Sequence, residues 1–159
     1  MVPMTSNQQS VVDPDAFSVR RTIWIAAPVE RVWSIVTEPE QISRWFGRAE
    51  FDGSGAGAAG TLTFDDRTVP IRIEQVDRPR MIAYRWSNDD EVAQLPGQVD
   101  PEHSTVFTFT LDQVDDGTRL TVVETGFETL SDPAANLESH RLGWNSELDK
   151  LVALLEGSA

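Results

Sequence analysis

The sequence contains no cysteine and only two histidines, His103 and His140. The absence of cysteine excludes disulfide bonds, thiolate nucleophiles and thiolate metal ligands, and two histidines are too few to build a transition-metal site on their own. No apolar run approaches the roughly 20 residues that a membrane-spanning helix needs. We therefore predict a protein that has no metal site, no cofactor and no membrane partner.

Positive charge is also scarce. The 13 lysine and arginine residues face 26 aspartate and glutamate residues, so the formal net charge is -13. Such a charge repels nucleic-acid phosphates and anionic lipid surfaces, and we expect no nucleic acid as a partner. Residues 1–14 have no lysine, no arginine and no apolar stretch as long as a secretory signal requires. The expectation is a cytoplasmic protein with a flexible N-terminal tail over residues 1–16.

The residues that are present fit one domain. A chain of 159 residues can bury about two-thirds of its surface on folding, and no linker divides it, so we predict a single domain over residues 17–156. In residues 17–26, mostly apolar side chains alternate with mostly polar ones, and this pattern is typical of a strand whose two faces have different surroundings. Pro28 and Glu30 then mark the first turn of a short helix, and a second short helix follows from Pro39.

Short runs rich in β-branched and aromatic residues follow, and turn residues separate them, so each run indicates a strand. The runs cover residues 49–51, 61–64, 69–76, 81–87, 105–114 and 118–127. With the first strand they make seven, and their short connections favour an antiparallel meander. The one long connection, residues 88–104, is acidic and shows no periodicity, so it is either a functional lid or a disordered insertion.

The last segment, residues 134–156, has the pattern of one long amphipathic helix. Its stripe at intervals of three and four contains Leu137, Arg141, Trp144, Leu148, Leu151 and Leu155. The predicted fold class is α+β: a curved antiparallel seven-stranded sheet wrapped around this C-terminal helix, with two short helices after strand one. Side chains diverge where a curved sheet bends away from a helix, so we expect a cavity there. The alternative is that aromatic side chains fill this interior.

Arg141 is unusual because it interrupts the apolar stripe of that helix. A buried guanidinium needs a carboxylate, water or a ligand anion, and Glu124 on the last strand is a candidate partner. Alternatively, Arg141 reaches solvent past the edge of the stripe. His140 lies next to the stripe without a serine or cysteine nucleophile pattern, and we interpret it as a packed or surface residue. Arg21 and Arg85, each in the middle of a strand, are expected on the convex face.

Four motifs together resemble a known family. They are residues 27–33 (APVERVW), residues 42–46 (ISRWF), residues 117–121 (GTRLT) and the Gly143-Trp144 pair in the terminal helix. In this order and spacing the chain resembles the START-like, or SRPBCC, superfamily, and within it homologues of the C-terminal domain of the activator of heat shock protein 90 ATPase. The resemblance covers residues 17–156. It implies a helix-grip fold with a deep cavity for lipids, sterols, polyketides or other hydrophobic ligands.

The resemblance also supplies ten candidate ligand contacts. They are Trp33, Trp45, Phe64, Tyr84, Trp86, Phe107, Phe109, Glu124, Arg141 and Trp144. No catalytic motif is present, and the first hypothesis is a non-enzymatic binder of a hydrophobic, ring-containing small molecule or lipid. The alternative is a cyclase, dehydratase or hydrolase of a polycyclic substrate, with Glu124 or His140 as acid or base. A third hypothesis is an acidic protein-interaction module with a basic partner.

Overall fold

The computed structural model describes residues 7–157. The strands are β1 (Val11–Asp13), β2 (Ser18–Ile25), β3 (Arg48–Asp52), β4 (Ala59–Phe64), β5 (Arg67–Asp77), β6 (Met81–Trp86), β7 (Thr105–Val114) and β8 (Gly117–Thr125). The helices are α1 (Val29–Thr37), α2 (Pro39–Ile42) and α3 (Pro133–Gly157), with a 3-10 turn at Phe127–Thr129. The eight strands of this part of the chain form one antiparallel sheet in the order β1-β2-β8-β7-β6-β5-β4-β3. The α+β helix-grip architecture is therefore confirmed.

The strand count is eight rather than seven because β1 lies within the segment predicted as a flexible tail. The β-branched residues Val11 and Val12 pair with β2, whose outer edge would otherwise be free. The backbone N–H of Ser10 also donates a 2.7 Å hydrogen bond to Oδ1 of Asn145 in α3. Residues 7–13 therefore contact both the sheet and the helix, and residues 1–6 of the predicted tail lie outside the described residues.

The three helices share the concave face of the sheet. The helix α3 packs against β2, α1 packs against β7, and α2 packs against β3. The indole of Trp144 extends from α3 to Phe107 and Phe109, with ring centroids 5.2 and 5.8 Å away. The second short helix, predicted from Pro39, covers only Pro39–Ile42, and turns follow it. Within residues 7–157, no helix has both the length and the apolar character needed to cross a membrane.

Arg21 lies in the core, and its predicted place on the convex face is wrong. Its side chain is on the same side of β2 as the buried Ile23, and Arg21 is only 2% exposed. Nη1 donates to the carbonyl oxygens of Trp144 and Asn145, at 3.2 and 3.0 Å, and Nη2 donates to Asp149 at 2.7 Å. Strand alternation places every second residue of β2 on the concave face, so Arg21 points to the helix and finds its acceptors there.

The long connection over residues 88–104 is irregular and packs against the first half of α3. Asp89 is buried and accepts hydrogen bonds from the Ser131 N–H at 2.8 Å and from Asn136 Nδ2 at 2.9 Å. Arg67, at the start of β5, donates to the Asp89 carbonyl oxygen at 2.6 Å and to that of Val92 at 3.4 Å. These bonds fix the beginning of the connection beside α3, where it forms one wall of an open cleft.

Candidate functional site

Aromatic side chains fill most of the interior between the sheet and the helices. A void of only about 10 Å³ remains there, lined by residues that include Trp45, Tyr84, Phe107 and Phe109. The rings of Tyr84 and Phe107 lie 5.2 Å apart, and the Tyr84 hydroxyl donates to the Val36 carbonyl oxygen at 2.7 Å. The deep cavity implied by the family resemblance is thus closed in this structure, because large rings from the turn after α2, from β6 and from β7 interdigitate in it.

A cleft of about 250 Å³ opens at one end of this interior, between α3, the sheet and the 88–104 connection. Its apolar walls are Phe46, Phe64, Trp86 and Trp144. The other lining residues are Arg67, Asn88, Asp90, Ser139, His140, Gly143 and Glu147. Four aromatic rings beside a few polar groups in a concave space are typical of a small-molecule binding site. We refer to this space as the aromatic cleft.

Glu124 of β8 lies behind the aromatic cleft and is completely buried. It accepts hydrogen bonds from the indole N–H groups of Trp86 at 2.9 Å and Trp144 at 2.8 Å. The Thr105 hydroxyl at 2.5 Å and His140 Nδ1 at 2.9 Å complete its set of donors. One carboxylate therefore orients the two indole walls of the cleft, and its own oxygen atoms are occupied by protein donors.

His140 is a doubly protonated, positively charged ring in this arrangement. Its Nδ1 faces the Glu124 carboxylate, and its Nε2 faces the Asn88 carbonyl oxygen at 3.0 Å and Asp90 Oδ2 at 3.3 Å. These partners are all acceptors, so both nitrogens must carry a proton to be satisfied. Burial alone would lower the pKa of His140, but the charges and hydrogen bonds of Glu124 and Asp90 raise it to about 10.

The same pairing lowers the pKa of Glu124. Burial alone would raise it, but the charge of His140 and the hydrogen bonds from His140, Thr105 and Trp86 outweigh that effect. Glu124 and His140 are consequently charged near neutral pH and occupied by each other. Neither side chain has a lone pair free to take a proton from a ligand, so neither is placed to act as a general base.

Some polar side chains of the cleft lining already have hydrogen-bond partners in the protein, and others retain unused donors or acceptors. Asp90 is satisfied, because it accepts a 2.6 Å hydrogen bond from Ser139 and pairs with His140. Glu147 has one charged partner among residues 7–157, the ammonium group of Lys150 at 2.8 Å, and burial raises the pKa of Glu147. The side-chain amide of Asn88 makes no hydrogen bond with any described residue. Glu147 and Asn88 therefore retain hydrogen-bonding capacity towards the cleft.

The ten predicted contact residues lie in different parts of the structure. Phe64, Trp86 and Trp144 line the aromatic cleft. Trp45, Tyr84, Phe107 and Phe109 surround the small inner void. Glu124 lies behind the cleft wall, and Trp33 is buried in α1 without contacting either space. The tenth residue, Arg141, lies outside both spaces.

Arg141 does not pair with Glu124, so that predicted ion pair is wrong. Its guanidinium makes two hydrogen bonds to Glu138, at 2.9 and 2.5 Å, on the outer side of α3. Residues 140 and 141 both fit the helical spacing between Leu137 and Trp144, so periodicity alone does not decide which one faces the sheet. The buried position is that of His140, which is the actual partner of Glu124.

Sequence reasoning missed several lining residues, including Phe46, Arg67, Asn88, Gly143 and Glu147. Phe46 and Gly143 lie within the motifs that carry the family resemblance, which was a usable signal. Nothing in the local sequence indicates that Arg67 and Asn88 line the same cleft, because this depends on where the 88–104 connection packs. Among the described residues, no cluster of three or more histidine, aspartate or glutamate side chains is placed to hold a metal ion.

Comparisons with known proteins agree on the fold. The family described as Activator of Hsp90 ATPase homolog 1-like protein matches residues 26–156. Protein MLL2253 from Mesorhizobium loti superposes with a TM-score of 0.73 and 23% identity, over 89% of this chain and 98% of that chain. The Aha1 dimer from Colwellia psychrerythraea gives a TM-score of 0.68 and 16% identity, over 89% of this chain and 98% of that chain.

A further solved structure, DynU16 from the dynemicin biosynthetic locus, gives a TM-score of 0.71 and 25% identity. The match covers 87% of this chain but only 47% of DynU16. No curated protein matches the chain. The similarity to the Mesorhizobium loti and Colwellia psychrerythraea proteins shows a common fold, and the match over residues 26–156 spans most of the sequence.

Proposed function

Because this chain belongs to the family of Activator of Hsp90 ATPase homolog 1-like proteins, we propose that it is a small-molecule binder of that family. The ligand is a hydrophobic, ring-containing molecule held in the aromatic cleft between the sheet and α3. The observation that carries this proposal is the contrast between the closed interior and the open cleft. The void in the interior is about 10 Å³, whereas the cleft is about 250 Å³ and has four aromatic walls.

The size and shape of the space favour a ring system over a lipid chain. An engineered apolar cavity of about 150 Å³ in another protein binds benzene, so about 250 Å³ has room for one or two rings. A long acyl chain would need the interior beyond the cleft, which Trp45, Phe107 and Phe109 occupy. The similarity to DynU16, a protein of a biosynthetic locus, also favours a small organic ligand.

The aromatic walls provide most of the binding free energy in this proposal. A ligand that loses roughly 300 Å² of apolar surface gains several kcal/mol before the entropy of association is subtracted, which allows micromolar affinity. The indole planes of Trp86 and Trp144 are only 29° apart, and their N–H groups are both fixed by Glu124. The walls are thus preorganised, and the protein loses little side-chain freedom when a ring enters.

The test is a titration of the protein with naphthalene and substituted naphthalenes, followed by isothermal calorimetry and by the indole N–H signals in ¹H–¹⁵N spectra. We expect saturable binding with the largest shifts at Trp86 and Trp144. Phe64→Ala should weaken binding at least fivefold, because Phe64 lines the cleft. Phe51→Ala is the matched control, since Phe51 is also a half-buried strand residue but lines only the inner void. Binding that is absent, or is equally affected by both variants, contradicts the proposal.

A second candidate function is an enzyme acting on a ring-containing substrate in the same cleft. The observation that favours it is Glu147, a cleft-lining carboxyl whose pKa is raised by burial and whose protein partner is the Lys150 ammonium. A carboxyl in such a setting is suited to general acid or base catalysis. The test is proton exchange at the α-carbon of 1-tetralone in D₂O. If the wild type accelerates this exchange and Glu147→Gln does not, the enzyme is supported. If the exchange runs at the uncatalysed rate with both proteins, this second function is contradicted.

A further inference from the structure

Gly143 occupies the middle of α3, where glycine is less favourable than alanine because it gives up more backbone freedom. The helix runs from Pro133 to Gly157, so Gly143 is more than two turns from either end. It is neither a helix cap nor a residue of positive φ. The local conformation of the chain therefore gives no reason for glycine at this position.

Packing within the protein gives no reason either. A Cβ added at Gly143 would have no protein atom within 4 Å, whereas one added at Gly60 would lie 2.0 Å from the Glu50 carbonyl oxygen. Gly117 is similarly confined, with the Ile25 carbonyl oxygen at 2.3 Å. Glycine at 60 and 117 is explained by neighbouring backbone. At 143 the side-chain position opens into the aromatic cleft, which Gly143 lines.

Gly143 therefore leaves a flat notch in the helix surface between two side chains. Ser139, Gly143 and Glu147 are four residues apart in turn and lie on one face of α3, and all three line the cleft. The distance along the axis from residue 139 to residue 147 is about 12 Å at 1.5 Å per residue. This notch accommodates the face of a fused two-ring system, and a methyl group in its centre would lift the ring away from the backbone.

The polar groups around the notch indicate which polar substituent and which net charge the ligand should have. Glu147 at one end has Lys150 as its protein partner and retains lone pairs for a hydrogen-bond donor. Asn88, across the cleft, offers both a donor and an acceptor that no described residue uses. The charged groups at the cleft balance, because Arg67, His140 and Lys150 are opposed by Asp90, Glu124 and Glu147. A ligand without net charge fits this balance, since a charged one would lose hydration without a net opposite charge.

We propose that the ligand is an uncharged, planar molecule of one or two rings that lies across Gly143 and donates a hydrogen bond to Glu147. Hydroxylated aromatic compounds are the corresponding chemical class, and Gly143 is the residue that admits them. This inference rests on the proposed binding function and adds the orientation of the ligand and its polar group.

The experiment compares 2-naphthol with 2-methoxynaphthalene and naphthalene, using calorimetry and the indole N–H signals. The proteins are the wild type, Gly143→Ala, Glu147→Met and Ser146→Ala. Ser146 is exposed, does not line the cleft and makes no side-chain hydrogen bond with a described residue, so it controls for a change in helix propensity. Because alanine favours the helix, we expect Gly143→Ala to have a melting temperature at least as high as the wild type.

The wild type should bind 2-naphthol at least fivefold more tightly than 2-methoxynaphthalene, and Glu147→Met should remove this preference. Gly143→Ala should weaken the binding of all three compounds about tenfold or more, and Ser146→Ala should leave it unchanged. Unchanged 2-naphthol affinity in Gly143→Ala, or no preference for 2-naphthol in the wild type, overturns this inference while the binding function stands. If the wild type binds none of the three compounds, the proposed function itself fails.

Discussion

His140 Nδ1 lies 2.9 Å from Glu124 Oε1, and the two side chains are 3% and 0% exposed, so α3 and β8 are joined by a buried ion pair. The pair forms part of a larger network, because Glu124 also binds the indole N–H groups of Trp86 and Trp144. His140 in turn binds the carbonyl oxygen of Asn88 in the 88–104 connection. The positions of the cleft walls and of the connection therefore depend on the same two charged groups.

Replacing Glu124 with glutamine should destabilise the protein by about 3–5 kcal/mol, because it leaves the buried charge of His140 without its counter-ion. The amide would also direct an N–H group at donors that now face a carboxylate. Urea unfolding followed by circular dichroism measures this loss. Glu138→Gln is the matched control, since Glu138 pairs with Arg141 at the surface, and its unfolding midpoint should not change. Similar midpoints for the two variants would contradict the role of the buried pair.

The stability of the protein should decrease between about pH 6.5 and pH 10. The pKa of His140 is about 10 in the folded protein against 6.5 as its ordinary value. The stabilisation from its proton is complete below the unfolded value and is lost as the pH rises through the folded value. The slope is at most about 1.4 kcal/mol per pH unit. Urea midpoints at several pH values measure it, and His140→Gln should flatten the profile. Parallel profiles for the two proteins would refute the assignment.

Arg21 and Arg141 should differ sharply in their effect on stability. Arg21→Ala removes a buried guanidinium that donates to two helix carbonyl oxygens and to Asp149, and we expect a loss of about 2–4 kcal/mol. Arg141→Ala removes a surface pair with Glu138, and we expect no measurable change in stability or in naphthalene binding. Thermal and urea unfolding of the two variants test this. Equal effects would mean that the assigned positions of the two side chains are wrong.

Removing the carboxylate of Asp89 should release the beginning of the 88–104 connection. Asp89→Ala leaves the Ser131 N–H and the Asn136 amide without their acceptor, and we expect faster limited proteolysis within residues 88–104. Naphthalene binding should weaken as well, because the connection supplies Asn88 and Asp90 to the cleft. Glu102→Ala, an exposed change in the same connection, is the control and should alter neither result. A cleavage rate in Asp89→Ala equal to that of the control would show that Asp89 is not an anchor.

Most of the architecture could be predicted from the sequence because it depends on local periodicity. The strand at residues 105–114 and the long helix were located within one residue of their observed ends. The strand β1 was not predicted, since two valines in a polar segment give a weak signal until the edge of β2 is available for pairing. The cytoplasmic location remains a prediction.

The site was less predictable because its geometry depends on contacts between distant segments. The aromatic residues were recognised as a group, but their separation into cleft walls and interior filling depends on how the rings interdigitate. The choice between His140 and Arg141 depended on the partner that each could reach across the helix–sheet interface. Arg67 and Asn88 line the same cleft only when the long connection packs against α3.

The N-terminal residues 7–13 protect the outer edge of the sheet, and this matters when the protein is shortened for expression. Since β1 pairs with Ser18–Arg20 and the Asn7 side chain bonds the backbone of Trp24, a shortened chain starting at residue 14 would leave the outer edge of β2 without these partners. Such an edge is a template on which strands of other molecules can add, and it promotes aggregation. The truncation would also remove the Gln8 carbonyl oxygen that accepts from Arg21 Nε at 2.8 Å. Solubility and monodispersity therefore depend on retaining a few residues that contribute little to the hydrophobic core.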